Sequence, residues 1–277
     1  MPRATTNGIE LEYETFGDMK GRPLLLIGGL GTQLITWDDE FCRLLVDRGF
    51  YVIRFDNRDS GLSTWPDEPY TLRDMAEDAA GLLDAVGIRA AHVVGASMSG
   101  FIGQILALEH PGRVLSLTSL ISGPNGDEHV APTDEGRAVL LAADPGTREG
   151  RIELGLRSKR ALLGPADPFD EPYERARVVA AVDRAYNPAG FVRQLQAILG
   201  APGRLQRMGS LRVPVLVVHG DADILIPVEN GRNVAAAIPD ARLIVIEGMG
   251  HDVPKRVWTR VANEIAALAR QAAGTAC

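Results

Sequence analysis

Short apolar runs alternate along the chain with amphipathic stretches of helical period. Continuous apolar runs at 24–28 and 114–121 are typical of strands buried on both faces, and the alternating run at 9–16 is typical of an edge strand. The stretches 37–48 and 71–86 repeat apolar residues at helical spacing. Strands that alternate with helices predict the α/β class, with a mainly parallel, twisted sheet flanked by helices.

The alternation stops after about residue 123. No strand-like run occurs between Gly123 and Gly209, and strand patterning resumes only at Val213. The interruption therefore predicts a helical insertion into the sheet-forming part of the chain. Its predicted helices cover residues 134–143, 148–163, 171–186 and 191–199.

Ser97 lies in a tight junction between a predicted strand and a predicted helix. The sequence at 95–100 reads G-A-S-M-S-G, after an apolar run at 91–94 and before a helical stretch at 101–108. A serine in such a turn, with small neighbours, exposes its hydroxyl in the geometry of a nucleophile elbow. Because a serine hydroxyl is a weak nucleophile, the motif predicts a histidine and a carboxylate later in the chain.

Two later loops contain candidates for these partners. Asp221 and Asp223 follow the predicted strand 213–218, and His251 follows the predicted strand 243–246. The carboxyl ends of parallel strands share one edge of the sheet, where ligands bind. His251 is the candidate base, since histidine exchanges protons near neutral pH. Both aspartates remain candidates for the acid, although Asp221 is also suited to closing the turn through backbone hydrogen bonds.

These motifs resemble those of the α/β-hydrolases over essentially the whole chain. Residues 24–31 (LLLIGGLG) resemble the first oxyanion-loop motif of that family, and residues 54–63 (RFDNRDSGLS) resemble the turn after its next strand. The chain order serine, aspartate, histidine is also that of the family. The chain is most similar to the capped esterase branch that includes aclacinomycin methylesterase and the cofactor-free haloperoxidases.

The resemblance implies an α/β-hydrolase fold with a helical cap. The core would comprise residues 1–123 and 210–277, and the cap would comprise residues 124–209. The family position of the acid falls on Asp223. The implied site has catalytic Ser97, Asp223 and His251, backbone N–H donors for the oxyanion at Leu30 and Met98, and an oxyanion loop containing Gly28 and Gly29.

Two positions depart from the family pattern. The family usually has His-Gly in the oxyanion loop, where this chain has Gly28-Gly29. The elbow usually reads Gly-x-Ser-x-Gly, and here Ser99 fills the last glycine position. Serine is small enough to leave the turn intact, and its hydroxyl can form a local hydrogen bond that glycine cannot.

Composition narrows the range of partners. The chain has 277 residues, 45% apolar residues and a net charge of −7, which argues against nucleic acid and anionic membranes as partners. Its N-terminus lacks the apolar core of a signal peptide, and no apolar run has the length of a membrane span. Cys42 and Cys277 are the two cysteines, and no disulfide is expected between them. These features predict a cytoplasmic protein.

The sequence therefore predicts a serine hydrolase that acts on a carboxylic ester, with a methyl ester or lactone of an apolar small molecule as substrate. No cofactor and no metal site are expected, because metal-binding motifs are absent. The elbow sequence is one residue away from a dinucleotide-binding fingerprint, which would indicate an oxidoreductase. We reject that function because no acidic residue follows the next predicted strand to bind a ribose. Two alternatives stay open: a cofactor-free perhydrolase, and a non-catalytic ligand-binding member of the fold. Nothing in the sequence indicates the oligomeric state.

The sequence gives the remaining histidines and charged turn residues structural roles. His92 and His219 are expected in the core and at a strand end, and His129 at the entrance of the cap. The charged turn that contains Asp56, Arg58 and Asp59 is interpreted as a structural network.

Overall fold

The structure is a computed structural model that describes residues 2–274, so Cys277 lies outside the described residues. One sheet has the strand order β1-β2-β4-β3-β5-β6-β7-β8. The first two strands pair antiparallel with each other, β2 pairs antiparallel with β4, and the other neighbours are parallel. The mainly parallel sheet is therefore confirmed. The strands are β1 Arg3–Thr6, β2 Ile9–Phe16, β3 Arg22–Ile27, β4 Phe50–Phe55, β5 Ala91–Ala96, β6 Val114–Leu120, β7 Val215–Gly220 and β8 Arg242–Ile246.

Helices connect the parallel strands and fill the insertion. Between residues 2 and 274, no helix is long and apolar enough to cross a membrane. The helices are α1 Asp39–Val46, α2 Leu72–Ala85, α3 Met98–Glu109, α4 Asp134–Leu140, α5 Arg148–Leu162, α6 Glu171–Arg184, α7 Pro188–Leu199, α8 Leu205–Met208, α9 Val228–Ala237 and α10 Lys255–Gly274.

Capping side chains determine where several helices begin, and they explain why some helices begin at other residues than predicted. Helix α1 begins two residues later than expected because the Asp38 carboxylate accepts the N–H of Glu40. Helix α2 begins one residue after the start of the predicted stretch 71–86, because Thr71 is its N-cap and forms a capping box with Asp74. Helix α7 begins three residues early because Asn187 caps it and Pro188 fits its first turn.

The helices bury one apolar layer on each face of the sheet. Helices α2, α3 and α9 cover one face, and α1 and α10 cover the other. Neighbouring residues of β5 show the division, since Val93 packs in the first layer and Val94 in the second. His92 is a core residue as expected: it is buried, and its Nδ1 lies 2.8 Å from Ser116 Oγ of β6.

Residues 124–209, here called the inserted segment, contain α4 to α8 and no strand. Ion pairs join this segment to the turn after β4. Arg184 lies 2.7 Å from Asp56, and Arg193 lies 2.7 Å from Asp59. Asp56 also accepts the N–H of Leu34. The charged turn is therefore a structural network, as the sequence indicated, and the same network fastens the inserted segment to the sheet.

Candidate active site

Ser97 occupies a strained turn between β5 and α3. Its backbone angles are φ 60° and ψ −124°, a conformation that costs a non-glycine residue on the order of 1–3 kcal/mol. The small neighbours are required by close packing. A Cβ at Gly95 would lie 2.2 Å from the carbonyl oxygen of Ser99, and a Cβ at Gly100 would lie 2.3 Å from Ser122 Oγ. The sequence therefore folds into a sharp elbow that only small residues permit.

Ser99, the departure from the family pattern, forms hydrogen bonds within this elbow. It is fully buried, and its Oγ lies 2.8 Å from the carbonyl oxygens of both Ile27 and Ala96. Ile27 is the last residue of β3, directly before Gly28. The Ser99 hydroxyl therefore links the elbow to the strand from which the Gly28-Gly29 loop emerges.

Ser97, His251 and Asp223 form a continuous chain of hydrogen bonds. Ser97 Oγ lies 2.9 Å from His251 Nε2, and His251 Nδ1 lies 2.8 Å from Asp223 Oδ2. The other carboxylate oxygen of Asp223 accepts the N–H groups of Leu225 and Ile226 at 2.9 and 2.8 Å. Since the carboxylate can only accept, His251 donates from Nδ1 and leaves Nε2 free to accept the serine proton.

The surroundings of Asp223 keep it ionised. Burial alone would raise the pKa of this carboxyl, but the charge of His251 and the hydrogen bonds from His219 and His251 outweigh burial and hold the pKa well below its usual range. His219 is fully buried at the end of β7, and its Nε2 donates to the carbonyl of Ile226 at 2.7 Å. The same nitrogen lies 3.4 Å from Asp223 Oδ2.

Asp221, the other candidate acid, has a different partner. Its Oδ1 accepts the N–H of Gly248 at 2.7 Å, and its carboxylate makes no hydrogen bond to His251. This contact joins the loop after β7 to the loop that leads to His251. Asp252, next to His251, lies 3.0 Å from Lys159 of the inserted segment. Burial opposes ionisation of Asp252, but the Lys159 charge holds its pKa below the usual value.

The Gly28-Gly29 loop passes directly beside the elbow. A Cβ at Gly29 would lie 3.6 Å from Ser97 Cβ and 3.3 Å from the carbonyl oxygen of Ala96. Within residues 2–274, the Leu30 N–H has no hydrogen-bond acceptor. Met98 is the first residue of α3, where N–H groups have no partner within the helix. The two N–H groups that the resemblance implies as oxyanion donors are thus free to bind a ligand.

A cavity of about 1120 Å³ contains Ser97 and His251 in its wall, together with Leu30 and Met98. Much of the remaining wall is apolar and comes from helices α4 to α7 of the inserted segment, with Leu140, Leu154, Val178 and Leu195 as examples. Leu141 and Leu199 also line it and are 62% and 76% exposed, which places apolar groups where the cavity meets solvent.

His129 supplies a polar group to this largely apolar cavity. Its ring meets the Phe101 ring edge-on, with centroids 5.9 Å apart. Burial, and then the positive charge of Arg204, lowers the pKa of His129, which favours the neutral imidazole. The described part of the chain, 2–274, contains no group of three histidine, cysteine, aspartate or glutamate side chains that could hold a metal ion.

Two glutamines that the sequence motifs do not single out join the inserted segment to the loop that contains Gly28 and Gly29. Gln33 Nε2 donates to the carbonyls of Ala181 and Ala185 at 2.7 Å, and Gln194 Oε1 accepts the N–H of Gly31 at 2.8 Å. Gln194 could have been noticed, since it is a polar residue on the apolar side of a predicted helix. No local signal marks Gln33.

Comparisons with known proteins agree with this architecture. The family model for the α/β hydrolase fold matches residues 22–254. The chain is 34% identical to a rhodomycin D methylesterase of Streptomyces sp. (strain C5), over 97% of both chains. It is 31% identical to a proposed carbamate hydrolase of Azorhizobium caulinodans, over 91% of both. The crystal structure of the enol-lactonase from Burkholderia xenovorans LB400 superposes with a TM-score of 0.79 at 26% identity, over 96% of this chain and 100% of that one.

Proposed function

Because this chain belongs to the α/β-hydrolase fold family, we propose that it is a serine hydrolase that cleaves carboxylic esters. The hydrogen-bond chain from Ser97 through His251 to Asp223 is the observation that carries the proposal. It supplies a nucleophile, a base and an orienting carboxylate, the three roles that acyl transfer to serine requires.

In the proposed first step, Ser97 Oγ attacks the ester carbonyl carbon while His251 Nε2 takes the hydroxyl proton. Asp223 holds the imidazole in the tautomer that can accept this proton, and it stabilises the resulting imidazolium. The tetrahedral intermediate places negative charge on the former carbonyl oxygen. The N–H groups of Leu30 and Met98 bind that oxyanion.

The alcohol is released first and the acid afterwards. His251 returns the proton to the departing alkoxide, the C–O bond breaks, and the alcohol leaves an acyl group on Ser97. Water then attacks the acyl carbon with His251 again as base. The C–O bond to Ser97 breaks, His251 returns the proton to Ser97 Oγ, and the carboxylic acid leaves. The neutral Nε2 and the free backbone donors are needed in both halves of the reaction.

We propose a methyl ester or lactone of an apolar small molecule as the substrate class. The apolar wall of the cavity supports an apolar substrate, since ligand pockets bury most of the ligand surface against such walls. The relatives named as a methylesterase and an enol-lactonase support an ester or lactone bond. In this proposal residues 124–209 form a cap over the core 1–123 and 210–277.

A panel of acyl compounds tests the proposal. Purified protein is assayed with methyl esters and lactones of increasing apolar size, with matched carbamates, and with acetate plus peroxide and halide. We expect turnover of esters or lactones by the wild type and none by Ser97→Ala. Exclusive carbamate cleavage or halide oxidation would replace the ester assignment. Tight binding measured by calorimetry, with no turnover of any compound, would make the protein a ligand-binding member of the fold.

A further inference from the structure

Gln194 is a fully buried polar side chain at the boundary between the inserted segment and the sheet. Its Oε1 accepts the Gly31 N–H at 2.8 Å. Its Nε2 donates to the carbonyl of Arg58 at 2.8 Å and lies 3.1 Å from Ser60 Oγ. Every polar atom of the side chain therefore has a partner, and the partners lie in two different loops of the core.

The position of Gln194 on helix α7 is unusual for a polar residue. Phe191, Leu195 and Ile198 on the same helix line the cavity, whereas Gln194 does not. A buried amide is costly unless its hydrogen bonds are satisfied, so an apolar residue would be the simpler way to fill this position. The amide gives α7 a directional contact with the Gly28-Gly29 loop that packing alone would not supply.

That loop is held from the core at its beginning and from α7 at its end. From the core, Asn57 Nδ2 donates to the carbonyl of Gly28 at 2.9 Å. Within the loop, Thr32 donates from both N–H and Oγ1 to the carbonyl of Gly29. Gly31, at the end, has φ +66°, and its N–H is bound by Gln194. Leu30 lies between these two anchored glycines, so the direction of its N–H depends on both anchors.

Phe191 reinforces the anchor from α7. A Cβ at Gly31 would lie 2.7 Å from Phe191 Cδ2, so the ring sits against the backbone of Gly31. The loop is thus enclosed between the elbow, which Gly29 touches, and helix α7, which Gly31 touches.

We propose that Gln194 is a positioning residue for the oxyanion site: through Gly31 it fixes the direction in which the Leu30 N–H points. This proposal rests on the proposed function. Gln194 does not line the cavity, so it influences the site through the two loops that it contacts, at Gly31 and at Arg58 and Ser60. Removal of an oxyanion donor costs about 10²- to 10³-fold in kcat, and a misplacement of about 1 Å costs up to about 10²-fold. We therefore expect displacement of the Leu30 N–H to lower kcat about 10- to 100-fold.

The test compares variants of adjacent residues on α7. Gln194→Met removes the amide at similar length, and Gln194→Glu keeps an acceptor for the Gly31 N–H. Arg193→Met is the matched control, because it breaks the contact of α7 with Asp59, while Arg193 itself makes no hydrogen bond to the loop and does not line the cavity. For each protein kcat and KM are measured with one ester, together with the affinity of a boronic acid that forms a tetrahedral adduct on Ser97.

We expect Gln194→Met to lower kcat about 10- to 100-fold while KM stays within about threefold of the wild-type value. The affinity for the boronic acid should fall by the same factor as kcat/KM. Gln194→Glu should retain clearly more activity than Gln194→Met. Arg193→Met should lower the melting temperature yet keep kcat within about threefold. If Gln194→Met does not fold, Gln194→Asn, whose shorter side chain does not reach Gly31, takes its place under the same expectations.

Three results would overturn the inference. The folded Gln194 variant could keep the wild-type kcat, could change KM alone, or could lose no more activity than Arg193→Met. Each would leave the proposed function intact, because the wild type would still turn over the ester. Absence of both turnover and boronic acid binding in the wild type would instead defeat the proposed function, and this inference with it.

Discussion

Asp223 and His92 are both almost inaccessible to solvent, yet the fold favours the charged form of Asp223 and the neutral form of His92. Asp223 keeps its charge because imidazole and backbone N–H groups surround the carboxylate. His92 has only the neutral hydroxyl of Ser116 as hydrogen-bond partner within residues 2–274, and burial lowers its pKa to about 4. The partners of each group therefore decide which ionisation state the fold favours.

Mutation should distinguish the roles of the two aspartates in the loop after β7. Asp223→Asn should lower kcat by about 10⁴-fold, because an amide at this position favours the wrong tautomer of His251. Asp221→Asn should change kcat only a few-fold, since Asp221 binds the N–H of Gly248 and not the imidazole. Steady-state kinetics of both variants on one ester checks this. If Asp221→Asn were the inactive variant, the acid would have to be reassigned.

His92 should make the protein less stable in acid. In the unfolded chain His92 binds a proton below about pH 6.5, but in the folded chain only below about pH 4. The unfolding free energy should therefore fall as pH decreases through this window, by about 3 kcal/mol in total from His92. Urea unfolding at pH 7, 5.5 and 4.5 should show a shallower decline for His92→Asn. Parallel declines in the two proteins would rule out this role of His92.

At the scale of elements, the hydrophobic pattern predicted the central strands and most helices. The strand β1 was not predicted, because its four residues are too few to show an alternating pattern of apolar and polar positions. It forms by pairing with β2. Helix α9 begins after Pro227 with no side-chain cap, so no start signal precedes it. Helix α10 does carry apolar residues at helical spacing, such as Val257, Val261 and Ile265, and could have been assigned from the sequence.

The link between the elbow and β3 can be measured through Ser99. Ser99→Ala removes the hydroxyl that bonds to the Ile27 and Ala96 carbonyls, which should cost about 1 kcal/mol of unfolding free energy. Ser99→Gly, the residue usual in the family, should cost about 1 kcal/mol more, because glycine is unfavourable in a helix. Urea unfolding of the two variants measures both differences. Equal stability of Ser99→Ala and the wild type would show that the hydroxyl contributes nothing.

At the scale of the whole molecule, the sequence predicted the three candidate side chains of the site but not the contacts that support them. Ser97, Asp223 and His251 follow separate strand ends, so a parallel sheet places them at one edge. The contact between Gly31 and Gln194 joins residues 163 positions apart, and it exists only because α7 packs on the loop. Similarly, the Leu163 carbonyl accepts the N–H of Gly250, next to His251. No local pattern encodes such contacts.

The inserted segment should determine which substrates fit. Leu154 lines the cavity, whereas Leu156 on the same helix is buried away from it. Leu154→Ala should shift the ratio of kcat/KM for a bulky and a small ester toward the bulky one, by about 1–3 kcal/mol. Leu156→Ala, the control, should lower the unfolding free energy by about 2–5 kcal/mol without changing that ratio. An unchanged ratio in Leu154→Ala would mean that this part of the wall does not contact the substrate.

Covalent labelling measures whether Ser97 is a nucleophile that His251 activates. A fluorophosphonate is mixed with wild type, Ser97→Ala and His251→Gln, and the intact mass is followed over time. We predict one adduct per chain in the wild type, mapped to residue 97 by peptide mass spectrometry. Ser97→Ala should show no adduct, and His251→Gln should react at least about 10²-fold more slowly. Labelling of Ser97→Ala at the wild-type rate would show that Ser97 is not the nucleophile, and labelling of His251→Gln at an undiminished rate would show that His251 does not activate it.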